Sequence, residues 1–254
     1  MGILRLGYLE IRVKEINKAA QYYTQVLGLK ETARAAGKIY LKAWDEWEHH
    51  QLVLVEDPSP GLNHMAFRLE SLDDLPFFEN KLERNGCRVE RVAGADKYEL
   101  GEAIRFTAPS EHRVELYYDM TIVGNGLPTT KPPPYPDDLL GIHPPRMDHT
   151  LLTTPDTPAS LHFWQEVMGF PPISTNKTLW KRSVGLKYFH GSPRTWSFSL
   201  MKASWSIPRL KASSIIQISS QRISAAQLRR AGRSSSPPDM GRKISHTALS
   251  GLVE

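Results

Sequence analysis

The chain has 254 residues, of which 40% are hydrophobic and 23% are charged, enough material for one large or two small buried cores. It contains no long apolar run and no signal-peptide pattern, so the sequence predicts a cytoplasmic protein without membrane spans. The net charge is +5, and the single cysteine, Cys87, excludes an intrachain disulfide and a cysteine metal cluster.

The N-terminal segment 1–56 is predicted to form a unit of one strand, one helix and further strands. Its segment 6–13 alternates between apolar and polar side chains, which is typical of a half-buried strand. The segment Ile16–Leu27 has apolar residues at helical spacing and ends at Gly28. Two β-rich runs follow at Lys38–Trp44 and Gln51–Val55.

The same unit then repeats over the segment 62–118. A predicted strand at Leu62–Leu69 precedes a helix that ends at Gly86. This helix covers Leu72–Asn85. Three further strands are predicted, at Arg88–Val92, Ala103–Thr107 and Arg113–Tyr118.

A third copy follows a proline-rich linker at residues 127–145, where the prolines supply neither ladder donors nor helix-interior residues. It aligns with the first copy without gaps, at one constant offset along the sequence. The aligned pairs are Tyr8 with His149, Tyr23 with Trp164, Gly28 with Gly169, and Leu29 with Phe170.

These repeats predict an α+β fold of tandem βαβββ modules in which the C-terminal module is incomplete. Residues 1–126 form an N-terminal domain of two modules, residues 127–145 the linker, and residues 146–172 the start of a second domain. Paired modules enclose a cup, because one open sheet alone leaves an apolar face and an edge uncovered.

Composition changes near residue 172. Residues 1–172 carry 25 acidic, 18 basic and 4 serine side chains, whereas residues 173–254 carry 2 acidic, 14 basic and 17 serine side chains. Serine, arginine and proline interrupt every candidate strand there, so the segment 173–254 is interpreted as frameshifted or disordered. Its basic cluster Arg229–Arg233 lacks interleaved aromatic residues and predicts no nucleic-acid partner.

Three residues of the predicted cups are candidate metal ligands. His149 opens the third module, while His64 and Glu115 lie on the first and last strands of the second. A non-haem iron site for oxygen chemistry takes two histidines and one carboxylate on one face, and His149 supplies one of the three. His64 and Glu115, with Tyr8 in the first module, fit a relic of a duplicated site or simple burial with hydrogen bonds. The pair His49–His50 is interpreted as a polar loop or a strand start.

Five segments carry a family resemblance. They are AAQYYTQVLGL at 19–29, IYLKAW at 39–44, LNHMAFR at 62–68, IRFTAPSEHRVELYY at 104–118, and RMDHTLL around His149 with its following helix. In order and spacing these segments resemble the type I extradiol dioxygenases of the vicinal oxygen chelate superfamily, a family that includes catechol 2,3-dioxygenase (metapyrocatechase). The resemblance covers about two thirds of the chain.

The resemblance implies an oxidoreductase of aromatic hydrocarbon catabolism that opens catechol or a substituted catechol with O2 to a 2-hydroxymuconic semialdehyde. It implies a homo-oligomer with iron(II), or alternatively manganese(II), and His149 as the first metal ligand. The family's second histidine, in a Leu-His-His segment, its glutamate ligand, and its proton-transfer histidine and tyrosine have no counterpart in this sequence.

A frameshift would account for the missing ligands. The stretch expected to contain the double histidine reads KASSIIQIS at 211–219. If residues 213–218 were encoded AGC TCC ATC ATC CAG ATT after an A, reading one nucleotide earlier would give Lys-Leu-His-His-Pro-Asp. Two alternatives remain open: a metal-free small-molecule binding protein on the same fold, and a nonfunctional fragment with an unfolded tail.

Overall fold

A computed structural model describes residues 2–94, 98–147, 149–154, 156–170, 172–174, 183–188, 196–202 and 214–217. In these ranges, none of the helices combines the length and apolar character that a membrane crossing requires. The basic cluster Arg229–Arg233 lies outside the described residues.

The N-terminal domain consists of two βαβββ modules, as the sequence predicts. The first comprises β1 (Ile3–Val13), α1 (Ile16–Gln21) with a π-helical turn (Tyr22–Val26), β2 (Lys30–Ala35), β3 (Lys38–Lys42) and β4 (Leu52–Glu56). The second comprises β5 (Gly61–Leu69), α2 (Asp74–Arg84), β6 (Val89–Val92), β7 (Ala103–Thr107) and β8 (Arg113–Tyr117).

The two modules join through their opening strands into one sheet of order β2-β3-β4-β1-β5-β8-β7-β6. Strands β1 and β5 are antiparallel at the centre, and each also pairs in parallel with the last strand of its own module. The opening strands therefore occupy the middle of the sheet, where both of their faces are covered.

Both faces of the central strands are buried. One face forms the apolar core against the helices, and includes Leu9, Leu41, Leu54, Met65 and Leu116. The opposite, concave face carries the residues adjacent in sequence to those of the core face, and we call it the N-terminal cup. It includes Tyr8, Tyr40, Val53, Ala66 and Tyr117. Because side chains alternate across a strand, this pairing of residues fixes which groups meet in the cup.

The third module repeats the first with the predicted offset. It has β9 (His149–Thr154), α3 (Thr157–His162) and a π-helical turn at Phe163–Val167, which aligns with the first π-helical turn at that same offset. Trp164 is fully buried and its ring centroid lies 5.8 Å from Phe67 and 5.5 Å from Phe170. The third module therefore shares the apolar core of the N-terminal domain.

Past residue 172 the structure contains strands that the sequence pattern does not predict. They are β10 (Pro172–Ser174), β11 (Ser183–Tyr188), β12 (Trp196–Lys202) and β13 (Ser214–Gln217), in a sheet of order β10-β11-β12-β9-β13. β9 pairs in parallel with β12 and antiparallel with β13, as β1 does with β4 and β5. Of these strands, only β12 and β13 pair with β9 directly. Strands β11 and β12 do alternate apolar with polar or small residues, but the serine-, arginine- and proline-rich composition of the segment obscured this pattern.

The proline-rich linker follows the surface of the first module. The amides of Ile142 and His143 donate to the carbonyl oxygens of Val26 and Leu27, at 3.0 and 2.9 Å. Gly28 has a φ of +75° there, and a Cβ atom on it would lie 1.9 Å from the carbonyl oxygen of Leu140. Glycine at this position therefore permits both the left-handed turn and the close approach of the linker.

Substitution of Gly28 tests this contact against a matched glycine. Gly86 ends the second helix with a φ of +78° and has open space where a Cβ atom would be added. We expect Gly86→Ala to lower the free energy of unfolding by about 1 kcal/mol from backbone strain alone. We expect Gly28→Ala to cost a further ~1–3 kcal/mol from the clash, measured by urea unfolding. Equal losses for the two variants would contradict the contact.

Candidate metal centre

Three strands of the N-terminal sheet bring the sequence candidates together in the cup. Tyr8 on β1 is opposite Ala66 on β5, and Ala66 is in turn beside Glu115 on β8. His64 lies two residues before Ala66 and so projects from the same face of β5. The small Ala66 side chain lets the three larger groups approach one another.

The three groups are in direct contact. The Tyr8 hydroxyl donates a hydrogen bond of 2.6 Å to Glu115 Oε1. His64 Nε2 lies 3.1 Å from Tyr8 Oη and 3.8 Å from Glu115 Oε2. All three residues are buried, and the most exposed of them, Tyr8, is only 4% exposed. Thus the structure brings together His64 and Glu115, as the spacing of their strands predicts.

Arg105 balances the charge of this cluster. Its Nε donates to Glu115 Oε2 at 2.6 Å, next to the oxygen that accepts from Tyr8. A buried carboxylate needs such a partner, since an uncompensated charge is expensive to remove from water. Burial, followed by the charge of Glu115, raises the pKa of Tyr8 well above its usual value, so its hydroxyl keeps its proton.

The pair His49–His50 lies in the loop before β4, but it is not a polar surface loop. The two residues are 5% and 2% exposed, and their Nδ1 atoms are 3.1 Å apart. His50 packs edge-on against Tyr8 and Tyr40, and His49 packs against Tyr98. The pair thus lies in a loop at a strand start, as predicted, but the loop is buried and the cup encloses both rings.

A second buried ionic cluster closes the other side of the cup, and sequence reasoning missed it. Tyr117 donates a hydrogen bond of 2.9 Å to Glu48, which also pairs with Arg68 at 2.6 Å. Arg5 contacts Glu48 and pairs with Glu46 at 2.7 Å. The acidic run at 45–48 gave no indication of burial, because a cluster of charges in a loop is usually solvated.

In the third module, His149 has the place that Tyr8 has in the first. It begins β9, and its backbone neighbours are Ser197 on β12 and Gln217 on β13. Within the described parts of β9–β13, His149 is the sole residue with a histidine or carboxylate side chain. No group of three possible metal ligands is found among the residues that the structure describes.

The described residues of this sheet consequently do not fit an iron centre that requires two histidines and one carboxylate. The register nevertheless identifies the position of a second ligand. Gln217 is opposite His149 as Ala66 is opposite Tyr8, so Ile215 is the positional equivalent of His64. An isoleucine stands where the N-terminal sheet carries a histidine.

The profile of the Glyoxalase/Bleomycin resistance protein/Dioxygenase superfamily matches residues 5–116 and 146–250. The chain belongs to this superfamily. The two matched ranges correspond to the N-terminal domain and to a second domain that begins just before β9, and the second range extends through most of the basic, serine-rich segment. The tandem modules are therefore those of the superfamily fold.

Curated members of the superfamily resemble the chain over about two thirds of its length. A metapyrocatechase from Pseudomonas sp. (strain CF600) is 34% identical over 66% of this chain and 56% of its own length. A manganese-dependent 2,3-dihydroxybiphenyl 1,2-dioxygenase from Geobacillus genomosp. 3 is 29% identical over 66% of this chain and 54% of its own length. The chain thus spans little more than half the length of these relatives.

Solved structures of the superfamily share the fold. The 2,3-dioxygenase LapB from Pseudomonas sp. KL28 matches 83% of this chain and 96% of its own, with a TM-score of 0.65 and 22% identity. An extradiol ring-cleaving dioxygenase from B. fuscum matches 79% of this chain and 54% of its own, with a TM-score of 0.64 and 26% identity. Both TM-scores support the module arrangement described above.

Burial of His50 predicts an acid-sensitive cup. Burial, and then the neighbouring His49, lowers the pKa of His50 to about 3, whereas in the unfolded chain it titrates near 6.5. Between these values the unfolded state binds more protons, so the free energy of unfolding falls as the pH falls. We expect His50 to account for about 2 kcal/mol of the loss between about pH 7.5 and pH 5.

His50→Gln should therefore flatten the pH dependence of urea unfolding across this range. The exposed histidine at the end of α3, His162, provides the matched control, because His162→Gln makes the same substitution outside the cup. An unchanged pH dependence in His50→Gln would contradict the role assigned to the buried ring.

Proposed function

We propose that this chain derives from an extradiol dioxygenase that cleaves the ring of catechol or a substituted catechol, using O2, to a 2-hydroxymuconic semialdehyde. The observation that carries the proposal is the position of His149, which opens β9, the strand whose pairing with β12 and β13 repeats that of β1 with β4 and β5. The relatives named metapyrocatechase and 2,3-dihydroxybiphenyl 1,2-dioxygenase support it.

In this proposal His149 is the first ligand of a non-haem metal ion. Iron(II) is the metal that we propose, and manganese(II) is the alternative because one relative is named as manganese-dependent. When bound, such a metal would supply the sites at which catechol and O2 meet. No step of the reaction is assigned to the residues of β10–β13, since the described parts of these strands contain no histidine or carboxylate side chain.

We further propose that the coding sequence contains a frameshift, so that this chain is inactive as written. The sheet register supports this, because the alternative reading of residues 213–218 would place histidines at positions 215 and 216. Position 215 is the equivalent of His64. The shift in charge and serine content near residue 172 has the same explanation.

Sequencing of the coding DNA from codon 165 to beyond codon 254 tests the frameshift. We expect a single-base slip whose correction gives a Leu-His-His segment at β13 and a glutamate further downstream. The superfamily profile extends to residue 250, so a verified frame with the tail as written is the competing result. That result would overturn the frameshift and identify a family member without the expected ligands.

Activity tests the enzyme itself. We expect the frame-corrected chain with iron(II) to consume O2 in the presence of catechol, and the present chain to show little O2 uptake. His149→Ala in the corrected chain should lower the rate by more than about 100-fold, because loss of a ligand exceeds the loss of a supporting residue. Rapid turnover by the present chain, or by corrected His149→Ala, would contradict the proposal.

The alternative of a metal-free binding protein needs an open cup between paired modules. In the N-terminal domain Tyr8, Tyr40 and Tyr117 fill the cup together with the buried ion pairs and His50. This packing favours a structural role for the first two modules. The proposed ring cleavage is therefore assigned to the second domain.

A further inference from the structure

We propose that the N-terminal cup is a locked metal site, in which the Tyr8 hydroxyl and the Arg105 guanidinium replace a divalent first-row transition metal between His64 and Glu115. The inference concerns the N-terminal domain alone and does not depend on the activity proposed for the second domain. It goes beyond a duplicated relic, since it identifies the two residues that keep the metal out.

The geometry of the donors fits such a site. His64 Nε2 and Glu115 Oε2 are 3.8 Å apart, and both residues reach the Tyr8 hydroxyl, which is 3.1 Å from Nε2 and 2.6 Å from Oε1. Tyr8 therefore stands at the point where the histidine and the carboxylate converge. A nitrogen and an oxygen donor on neighbouring strands supply two of the three ligands of a facial two-histidine, one-carboxylate site.

A second carboxylate lies on the far side of His64. Glu10 Oε1 lies 3.9 Å from Nδ1, the ring nitrogen that faces away from Tyr8. Glu10 is itself held by Lys38 at 2.6 Å and by the side chain of Asn63. At 3.9 Å this carboxylate lies beyond hydrogen-bond distance of Nδ1, so it places a negative charge beside the ring without orienting it through a hydrogen bond.

Tyr8 and Arg105 stabilise the buried carboxylate of Glu115, as a bound metal ion would otherwise do. Arg105 brings one positive charge to within 2.6 Å of Glu115, and Tyr8 brings a proton to the other carboxylate oxygen. Both oxygens are thus satisfied without an ion. Tyr8 also has the register position that His149 has on β9, so a histidine there would complete the ligand set.

The test uses the full chain in a His149→Ala background, which removes the metal ligand proposed for the second domain. Tyr8→His and Arg105→Gln are combined, and Co2+ is supplied during refolding from urea because the cup is buried. Bound Co2+ is measured by metal analysis and visible absorption, and circular dichroism checks the fold. His64→Ala in each background is the matched control.

We expect the double variant to bind one Co2+ at least about 100-fold more tightly than its parent, and His64→Ala to abolish this gain. A folded double variant that binds no more Co2+ than the parent overturns the proposal. So does a parent that already binds Co2+ in a His64-dependent manner, because its site would not be locked.

Should Arg105→Gln prevent folding, Tyr8→His alone carries the test. It keeps Arg105, so we expect weaker Co2+ binding that still disappears with His64→Ala. A folded Tyr8→His variant without His64-dependent binding overturns the proposal equally.

Discussion

The antiparallel pairing of β1 with β5 is the constraint on which the N-terminal domain depends. It joins two modules that could not each cover both faces of a sheet. Its register also decides which side chains share the cup, since a slip of one residue would exchange Tyr8 for Leu9 on that face. The register of β1 and β5 therefore determines both the apolar core and the buried polar cluster. Strands β9 and β13 pair in the corresponding register in the second domain.

Most of the fold follows from patterns that can be read in the sequence. The helices that end at Gly28 and Gly86, the strands between them, and the gap-free repeat that aligns Tyr8 with His149 were all predicted and are present. The exception is strand β2 at Lys30–Ala35, which was not located in the sequence because its residues are partly exposed and lack clear alternation. The strands past residue 172 were missed, although β11 and β12 alternate apolar with polar or small residues, because the serine- and arginine-rich composition around them was interpreted as frameshifted or disordered.

The cup was harder to predict than the fold. Polar residues at alternate strand positions, such as Tyr8 and Glu10 on β1, normally indicate a face in contact with water. Here the same alternation marks a buried face, because ion pairs such as Arg105 with Glu115 compensate the charges. Strand order indicated that His64 and Glu115 converge, but no sequence rule specified that His49 and His50 are enclosed beside them. The burial of such residues depends on the pairing of distant strands, and the spacing of residues along the sequence does not predict it.

The contact between Gly28 and the linker has a consequence for how the two halves assemble. A free linker would let the third module sample a large volume, whereas hydrogen bonds from Ile142 and His143 anchor the chain a few residues before β9. This shortens the effective tether and raises the local concentration of the third module at the N-terminal core. Trp164 is thereby kept within reach of Phe67, against which it packs. The first domain thus holds the start of the third module against the apolar core that they share.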